Sequence, residues 1–163
     1  MSNTQHRIIS RLLVVASESQ QSTRVAAAIC RGSKVLTMSV NNHRNKYGSH
    51  IRCSGHAEVA ALHKLFPEAF RYKGMGRVFY HRKFRRKMRK LTIYIARYRS
   101  STAHSAHSEP CCHCTREIKR IGIKKIVYVN RIGEINKSLA DKYTCDYICP
   151  GYREYEKQGV KVY

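Results

Sequence analysis

Residues 7 to 20, Arg-Ile-Ile-Ser-Arg-Leu-Leu-Val-Val-Ala-Ser-Glu-Ser-Gln, repeat apolar positions every three to four residues, with Ile8, Leu12 and Ala16 on one line and Ile9, Leu13 and Val15 beside them. That period gives one wide apolar face, so an amphipathic helix is expected. The pattern then changes. Arg24 to Arg31 (Arg-Val-Ala-Ala-Ala-Ile-Cys-Arg) and Lys34 to Val40 (Lys-Val-Leu-Thr-Met-Ser-Val) are short runs separated by Gly32-Ser33, the pattern of two strands joined by a tight turn. Lone Cys30 fits a strand interior. Val59, Ala60, Ala61, Leu62 and Leu65 restore a buried helix, with Ser54-Gly55 as its entry. Leu91 to Tyr98, Leu-Thr-Ile-Tyr-Ile-Ala-Arg-Tyr, alternates and is rich in β-forming residues, the most convincing strand in the chain. Arg99 to His107 reads as a loop. Pro110 suits the first position of a further helix, where its missing N–H would be unpaired anyway, and Gly122 suits its stop. Lys125 to Asn130 is a strand, and Arg131-Ile132-Gly133 followed by Glu134 to Lys137 predicts a hairpin with the last two strands antiparallel, a crossover turn at Gly133 being the alternative. This order is consistent with an α/β sandwich.

Two short motifs fall at two of the predicted helix starts. His56 and Glu58 form H-x-E, and Pro110, Cys111 and Cys114 form P-C-x-x-C; in this order the pair is the signature of zinc-dependent deaminases. One imidazole and two thiolates leave the fourth tetrahedral position of Zn²⁺ open to water, which separates a catalytic site from a closed structural one. Two thiolates also cancel the formal charge of the metal, so water there is only partly acidified and needs a base; Glu58 supplies it. Cys111 and Cys114 are three apart and share a helix face. His56 and Glu58, two apart, cooperate only at a helix entry. Two helix N-termini facing one metal add N–H groups and a positive field for developing negative charge. The plain alternative, a core histidine with buried thiols, leaves a glutamate at the mouth of an apolar helix unexplained.

Composition narrows the setting. At 163 residues and 42% apolar content, one domain spanning residues 1–163 with a proper core is expected. No run reaches a membrane span, and the N-terminus lacks signal-peptide architecture. Seven cysteines, three of them within residues 111 to 114, suggest reduced thiols and metal in an intracellular compartment, cytoplasm or nucleus, rather than secretion. The net charge of +22, from 32 basic and 10 acidic residues, calls for a polyanionic partner to relieve self-repulsion. Against that background Glu58 is the only acid between Glu18 and Glu68.

On these motifs, residues 7 to about 140 resemble the cytidine deaminase-like superfamily, which holds cytidine, deoxycytidylate and blasticidin deaminases and the tRNA- and DNA-editing enzymes. The resemblance implies a three-layer α/β/α sandwich with a mixed, about five-stranded central sheet. It implies Zn²⁺ held by His56, Cys111 and Cys114, proton transfer by Glu58, and a backbone N–H of Cys111 at the attacked centre. Asn41, in Ser-Val-Asn-Asn at the end of the second strand, and Ala57, the middle residue of H-x-E, would contact the substrate, with Asn42 the near alternative to Asn41. Cys112 and His113 fill the remaining positions of the second motif as non-ligands. The implied reaction is hydrolysis of a cytosine base to uracil and ammonia, on cytidine, deoxycytidine, deoxycytidylate or a polynucleotide. Family members often assemble as homo-oligomers.

The middle of the chain departs from that pattern. His56 and Cys111 are 111 − 56 = 55 positions apart, where the resemblance implies roughly half as many. The surplus is a basic insertion at about 68–90, whose residues 71 to 90 contain no acid and interleave Tyr72, Phe79, Tyr80 and Phe84 with cations. Arg82, Lys83, Arg85, Arg86 and Lys87 are therefore candidates for nucleic-acid contact; a solvated loop or basic hairpin, or a nuclear-import address, reads almost as well. His104 and His107 would line the pocket mouth or simply be solvated. In the tyrosine-rich tail, residues 138–163, Cys145 and Cys149 read as packed thiols, half of a second metal site being the alternative. The competing functional class is a deaminase-fold component of a larger assembly, a nucleoprotein particle or a virion, with little catalysis.

Overall fold

A computed structural model describes residues 3–71, 82–101 and 104–159, with residues 82, 83, 104 and 105 described by their backbone alone. Helix α1 (Asn3–Ser17) buries Ile8, Ile9, Leu12 and Ala16, the face set by the period of its apolar positions. Strands β1 (Arg24–Arg31) and β2 (Lys34–Val40) pair antiparallel, running from Ala26 opposite Val40 to Arg31 opposite Lys34 with a bulge at Ile29/Cys30. Gly32, at φ 58°, takes the left-handed conformation of the tight turn between them. A two-residue hairpin, β3 (Lys46–Tyr47) with β4 (His50–Ile51), precedes helix α2 (Ala57–Leu65). Then come helix α3 (Arg82–Met88), strands β5 (Leu91–Arg99) and β6 (His104–Ala106), helix α4 (Cys112–Ile121), strands β7 (Lys125–Val129) and β8 (Ile135–Leu139), and helix α5 (Pro150–Lys157).

The sheet runs β2-β1-β5-β7-β8, with β6 added beside the end of β5. β5 is antiparallel to β1 and parallel to β7, and β7 and β8 form the predicted antiparallel hairpin. Because successive strand residues face opposite sides, the sheet sorts its apolar residues into two layers. Ala26, Ala28, Tyr94, Ala96, Val127 and Val129 pack with the buried face of α1. Ala27, Ile29, Ile93, Ile95 and Ile126 pack with Val59 and Leu62 of α2 and with Ile118 and Ile121 of α4. A mixed sheet between helical layers, the expected α/β/α sandwich, places the two motif-bearing helices on the same face.

Three elements differ from the sequence reading. Residues 104–106 form strand β6 against Arg97–Arg99, where a loop was expected; the β5 residues paired with β7 stop at Tyr94, so the end of β5 has a free edge for it. Residues 82–88 of the basic insertion are helical, neither loop nor hairpin, held by fully buried Met88 and by Phe84, whose ring meets Phe66 at 5.6 Å. Residues 72–81 of that insertion lie outside the described residues. Finally, the tail crosses back to the metal motif: Cys112 N–H donates to the Tyr147 carbonyl (2.9 Å), and buried Tyr152 on α5 stacks on His113 at 3.7 Å. Among the described residues no helix is long and apolar enough to cross a membrane.

Candidate metal centre and pocket

His56 sits at the N-cap of α2, with extended backbone (φ −63°, ψ 144°), and its carbonyl accepts the first helical bond, from Ala60 N–H at 2.9 Å. The turn before it is pinned to the end of β2 by two backbone bonds between Asn42 and Gly55, 2.8 and 3.0 Å. A Cβ at position 55 would lie 2.1 Å from Asn42 Oδ1 and 2.3 Å from the Tyr47 hydroxyl, so only glycine allows this approach. Cys111 occupies the matching N-cap of α4 (φ −69°, ψ 167°), and its carbonyl accepts Thr115 N–H at 2.9 Å. The loop leading to it is tied down by buried Ser108, whose hydroxyl donates to the Ile95 carbonyl and accepts Val129 N–H, bridging β5 and β7. Both motifs therefore sit at helix starts, held by the sheet.

His56 Nδ1 lies 3.6 Å from Cys111 Sγ and 3.3 Å from Cys114 Sγ. A tetrahedral Zn²⁺ with Zn–N of about 2.05 Å and Zn–S of about 2.3 Å requires N···S edges of about 3.6 Å. The three atoms fit the ion. Cys111 and Cys114 are buried, and Glu58, in the first turn of α2, is 5% exposed. It lines the same cavity as His56 and Cys111, and its charge acts on both His56 and Cys114.

Burial alone would lower the basicity of His56, yet its contacts with the Cys111, Cys149 and Cys53 thiols and the charge of Glu58 outweigh it, and the pKa rises. The Cys111 thiol is pushed up to about 11, first by its hydrogen bond with Cys114. Cys114 also rises to about 11, because burial outweighs the lowering contact with Cys111. Without a metal the two thiols keep their protons, so loading must expel them.

The cluster opens on a cavity of about 1050 Å³ lined by His56, Ala57, Glu58 and Cys111, by Asn41 and Asn42, and by Arg97, Arg99 and Arg131. Asn41 is engaged within the fold: its Oδ1 accepts from Ser19 Oγ (2.7 Å) and Val25 N–H (2.9 Å), and its Nδ2 donates to the Thr23 carbonyl. Among the described residues the second amide N–H has no acceptor and is left for a ligand. Asn42 Oδ1 accepts from Arg44 N–H and the Tyr47 hydroxyl. Cys112 points away, donating to the Cys145 carbonyl, and His113 faces Tyr152. His107 lines the cavity 2.9 Å from the Glu109 carboxylate, while His104 is placed only as part of β6. Arg85, Arg86 and Lys87 are exposed on α3 and are not among the lining residues; Arg82 and Lys83 start the same helix.

Sequence reasoning missed Cys53 and the arginines of β5 and the β7–β8 turn, and it paired Cys149, which shares the cavity wall with Cys53, with Cys145 instead. Cys53 had a signal, since it makes C-x-x-H with His56. The arginines had none, because which end of a strand meets a pocket depends on the sheet.

A search of curated proteins returns no match. The cytidine deaminase from Burkholderia pseudomallei, known from a 1.6 Å crystal structure, superposes with a TM-score of 0.54 at 17% identity, covering 91% of this chain and all of that one; the likeness is one of fold. Residues 2–130, which carry both motifs, match the family described as the cytidine and deoxycytidylate deaminase zinc-binding region. A zinc-fitting tripod, a buried glutamate beside it and a match over most of the chain place the protein in that cytidine and deoxycytidylate deaminase family.

Proposed function

We propose that the chain is a zinc-dependent hydrolase that deaminates a cytosine base carried on a pyrimidine nucleotide. The carrying observation is the buried carboxylate of Glu58 beside the His56–Cys111–Cys114 tripod, with the group open to a cavity. His56, Cys111 and Cys114 would hold Zn²⁺, which would supply a nucleophile at neutral pH by acidifying bound solvent. Glu58 accepts the proton released as water attacks C4 of the base and hands it to N3. As the C–N bond breaks, Glu58 moves the second proton of the same water to the amino group, which leaves as ammonia, and the ring keeps the water oxygen as the carbonyl. The starts of α2 and α4 line the cavity at Ala57 and Cys111, so the positive ends of both helix dipoles favour the negative charge that develops on the attacked centre. The free amide N–H of Asn41 and the backbone at Ala57 hold the substrate.

The finer substrate assignment rests on charge. Arg97, Arg99 and Arg131 line the same cavity as Glu58. Three guanidiniums suit a phosphate, which accepts paired N–H bonds from them. The cavity also has room for a whole nucleotide, since pockets for small molecules span about 300–1,000 Å³.

The test is a substrate panel of cytidine, deoxycytidine, their monophosphates and a cytosine-containing single-stranded oligonucleotide, read as ammonia release. A monophosphate is the best substrate, and Arg97→Ala or Arg131→Ala erodes its advantage over the nucleoside by roughly 10–150-fold, the worth of a hydrogen bond to a charged group. Equal turnover of nucleoside and nucleotide overturns the phosphate assignment. No turnover of any substrate by zinc-loaded protein overturns the deaminase assignment.

A further inference from the structure

We propose that Cys53, Cys149 and the Nε2 atom of His56 form a second metal site, for a borderline-soft divalent ion of the zinc class, on the side of the imidazole facing away from Cys111 and Cys114. The three ligand atoms lie within 4.8 Å of one another, and Cys149 Sγ stands 3.6 Å from Nε2. That separation is the N···S edge of about 3.6 Å that a tetrahedral zinc site requires. It also equals the 3.6 Å between Nδ1 and Cys111 Sγ in the tripod already described. His56 is thus flanked by a thiol pair at each ring nitrogen.

The pair is assembled from distant parts of the chain. Cys53 belongs to the turn before α2, while Cys149 is the N-cap of α5, 149 − 53 = 96 positions later. The two thiols nevertheless interact, and both line the cavity, so solvent can complete the coordination. Gly151 maintains the approach: a Cβ there would lie 2.9 Å from Cys53 Sγ and 3.2 Å from Cys53 Cβ. Any other residue would press on the thiol. The donor set selects the ion, because sulfur and imidazole suit zinc-class metals, whereas magnesium, calcium and manganese prefer oxygen.

Proton and charge balance are compatible with two ions. Loading the second site releases to solvent the two thiol protons and the Nε2 proton, leaving a bridging imidazolate. Four thiolates and one imidazolate oppose two dications, a residual charge of −1 before Glu58 and buried Arg52 are counted. Arg52 acts electrostatically on Cys114 in the direction that favours the thiolate. The second ion also has a mechanical consequence. It staples the segment carrying Cys149, which lies beyond the family-matched residues 2–130, to the turn that presents His56.

The inference rests on His56 serving the catalytic ion through Nδ1, and the test separates the two. Native mass spectrometry of the zinc-loaded, reduced chain counts bound ions in the wild type, in Cys53→Ser/Cys149→Ser and in Cys111→Ser/Cys114→Ser. Two zinc ions in the wild type and one in each double variant are expected. One zinc in the wild type and none in Cys111→Ser/Cys114→Ser overturns the second site while leaving the catalytic one intact; one zinc in the wild type that persists in Cys111→Ser/Cys114→Ser overturns the catalytic tripod instead. Since serine variants can fail to fold, ¹¹³Cd NMR of the wild type supplies an independent count. Two resonances in the thiolate-ligated range support the second site, and a single resonance, or a Cys53–Cys149 disulfide in the reduced preparation, overturns it.

Discussion

Arg52 is fully buried and lies 3.1 Å from Glu117 Oε1, whose side chain is 3% exposed. Burial alone would lower the Arg52 pKa, but the Glu117 charge and Tyr152 more than reverse that. Arg52 Nε and Nη2 lack a well-aligned acceptor among the described residues, so the attraction to Glu117 is chiefly Coulombic. Glu117 has a second partner: its Oε2 accepts from Arg120 Nε at 2.9 Å and Nη2 at 2.6 Å. The two ends of the pair are therefore unequal. Glu117→Gln strands a buried guanidinium with, among the described residues, only the Tyr152 hydroxyl at 3.4 Å, and removing one member of such a pair costs about 3–5 kcal/mol. Arg52→Met leaves Glu117 paired with Arg120 and so loses less than about 3 kcal/mol, the lower end for breaking a buried pair. At about 2–4 °C per kcal/mol for a chain of 163 residues, Glu117→Gln lowers Tm by roughly 6–20 °C. Urea unfolding of both variants and of the double variant measures this, with the double variant less destabilised than Glu117→Gln. A loss below about 1 kcal/mol for Glu117→Gln, or Arg52→Met as the more damaging change, would refute the Coulombic assignment.

Gly55→Ala forces a Cβ within 2.1 Å of Asn42 Oδ1, so the turn presenting His56 must shift; zinc affinity falls by roughly 10–100-fold, the usual cost of disturbing a ligand's support, as read by competition with a chromophoric chelator. Acid acts at two places. Burial would raise the Glu117 carboxyl, but Arg52 and Arg120 hold it below its ordinary 4.5, so the unfolded chain takes up the proton first; its contribution to stability is present above about pH 4.5 and disappears as pH falls through the lower folded value, visible as a declining urea midpoint. Zinc release begins at higher pH than this, because the metal competes with protons for thiols that, metal-free, hold them up to about 11. A chelator titration at stepped pH reads it.

The layered fold was legible where one face of each element is apolar. Ile8, Leu12 and Ala16 gave α1, and the Gly32 turn gave the first hairpin, because periodicity and turn chemistry are local. The pairing of His56 with Cys111 and Cys114 across 55 positions was legible only because the donor chemistry is so restrictive. Long-range packing left less trace. Helix α3 has seven residues and no acidic one, and its order comes from Met88 and Phe84 seated on the core, which charge patterning conceals. Likewise Cys145 and Cys149 read as a pair by spacing, yet the fold separates them: Cys145 meets Cys112, and Cys149 meets Cys53 and His56. Pro150 opens α5 at the position where a missing N–H is harmless.

The carboxylate beside the tripod bears the whole enzymatic claim. Glu58→Gln keeps the size of that side chain and removes its ability to carry a proton. The decisive measurement is ammonia release by wild type and Glu58→Gln from the best substrate of the panel, at matched zinc content. A drop of about 10²–10⁴-fold, the usual worth of general acid–base catalysis, is predicted with zinc unchanged. Equal turnover by the two proteins would contradict it.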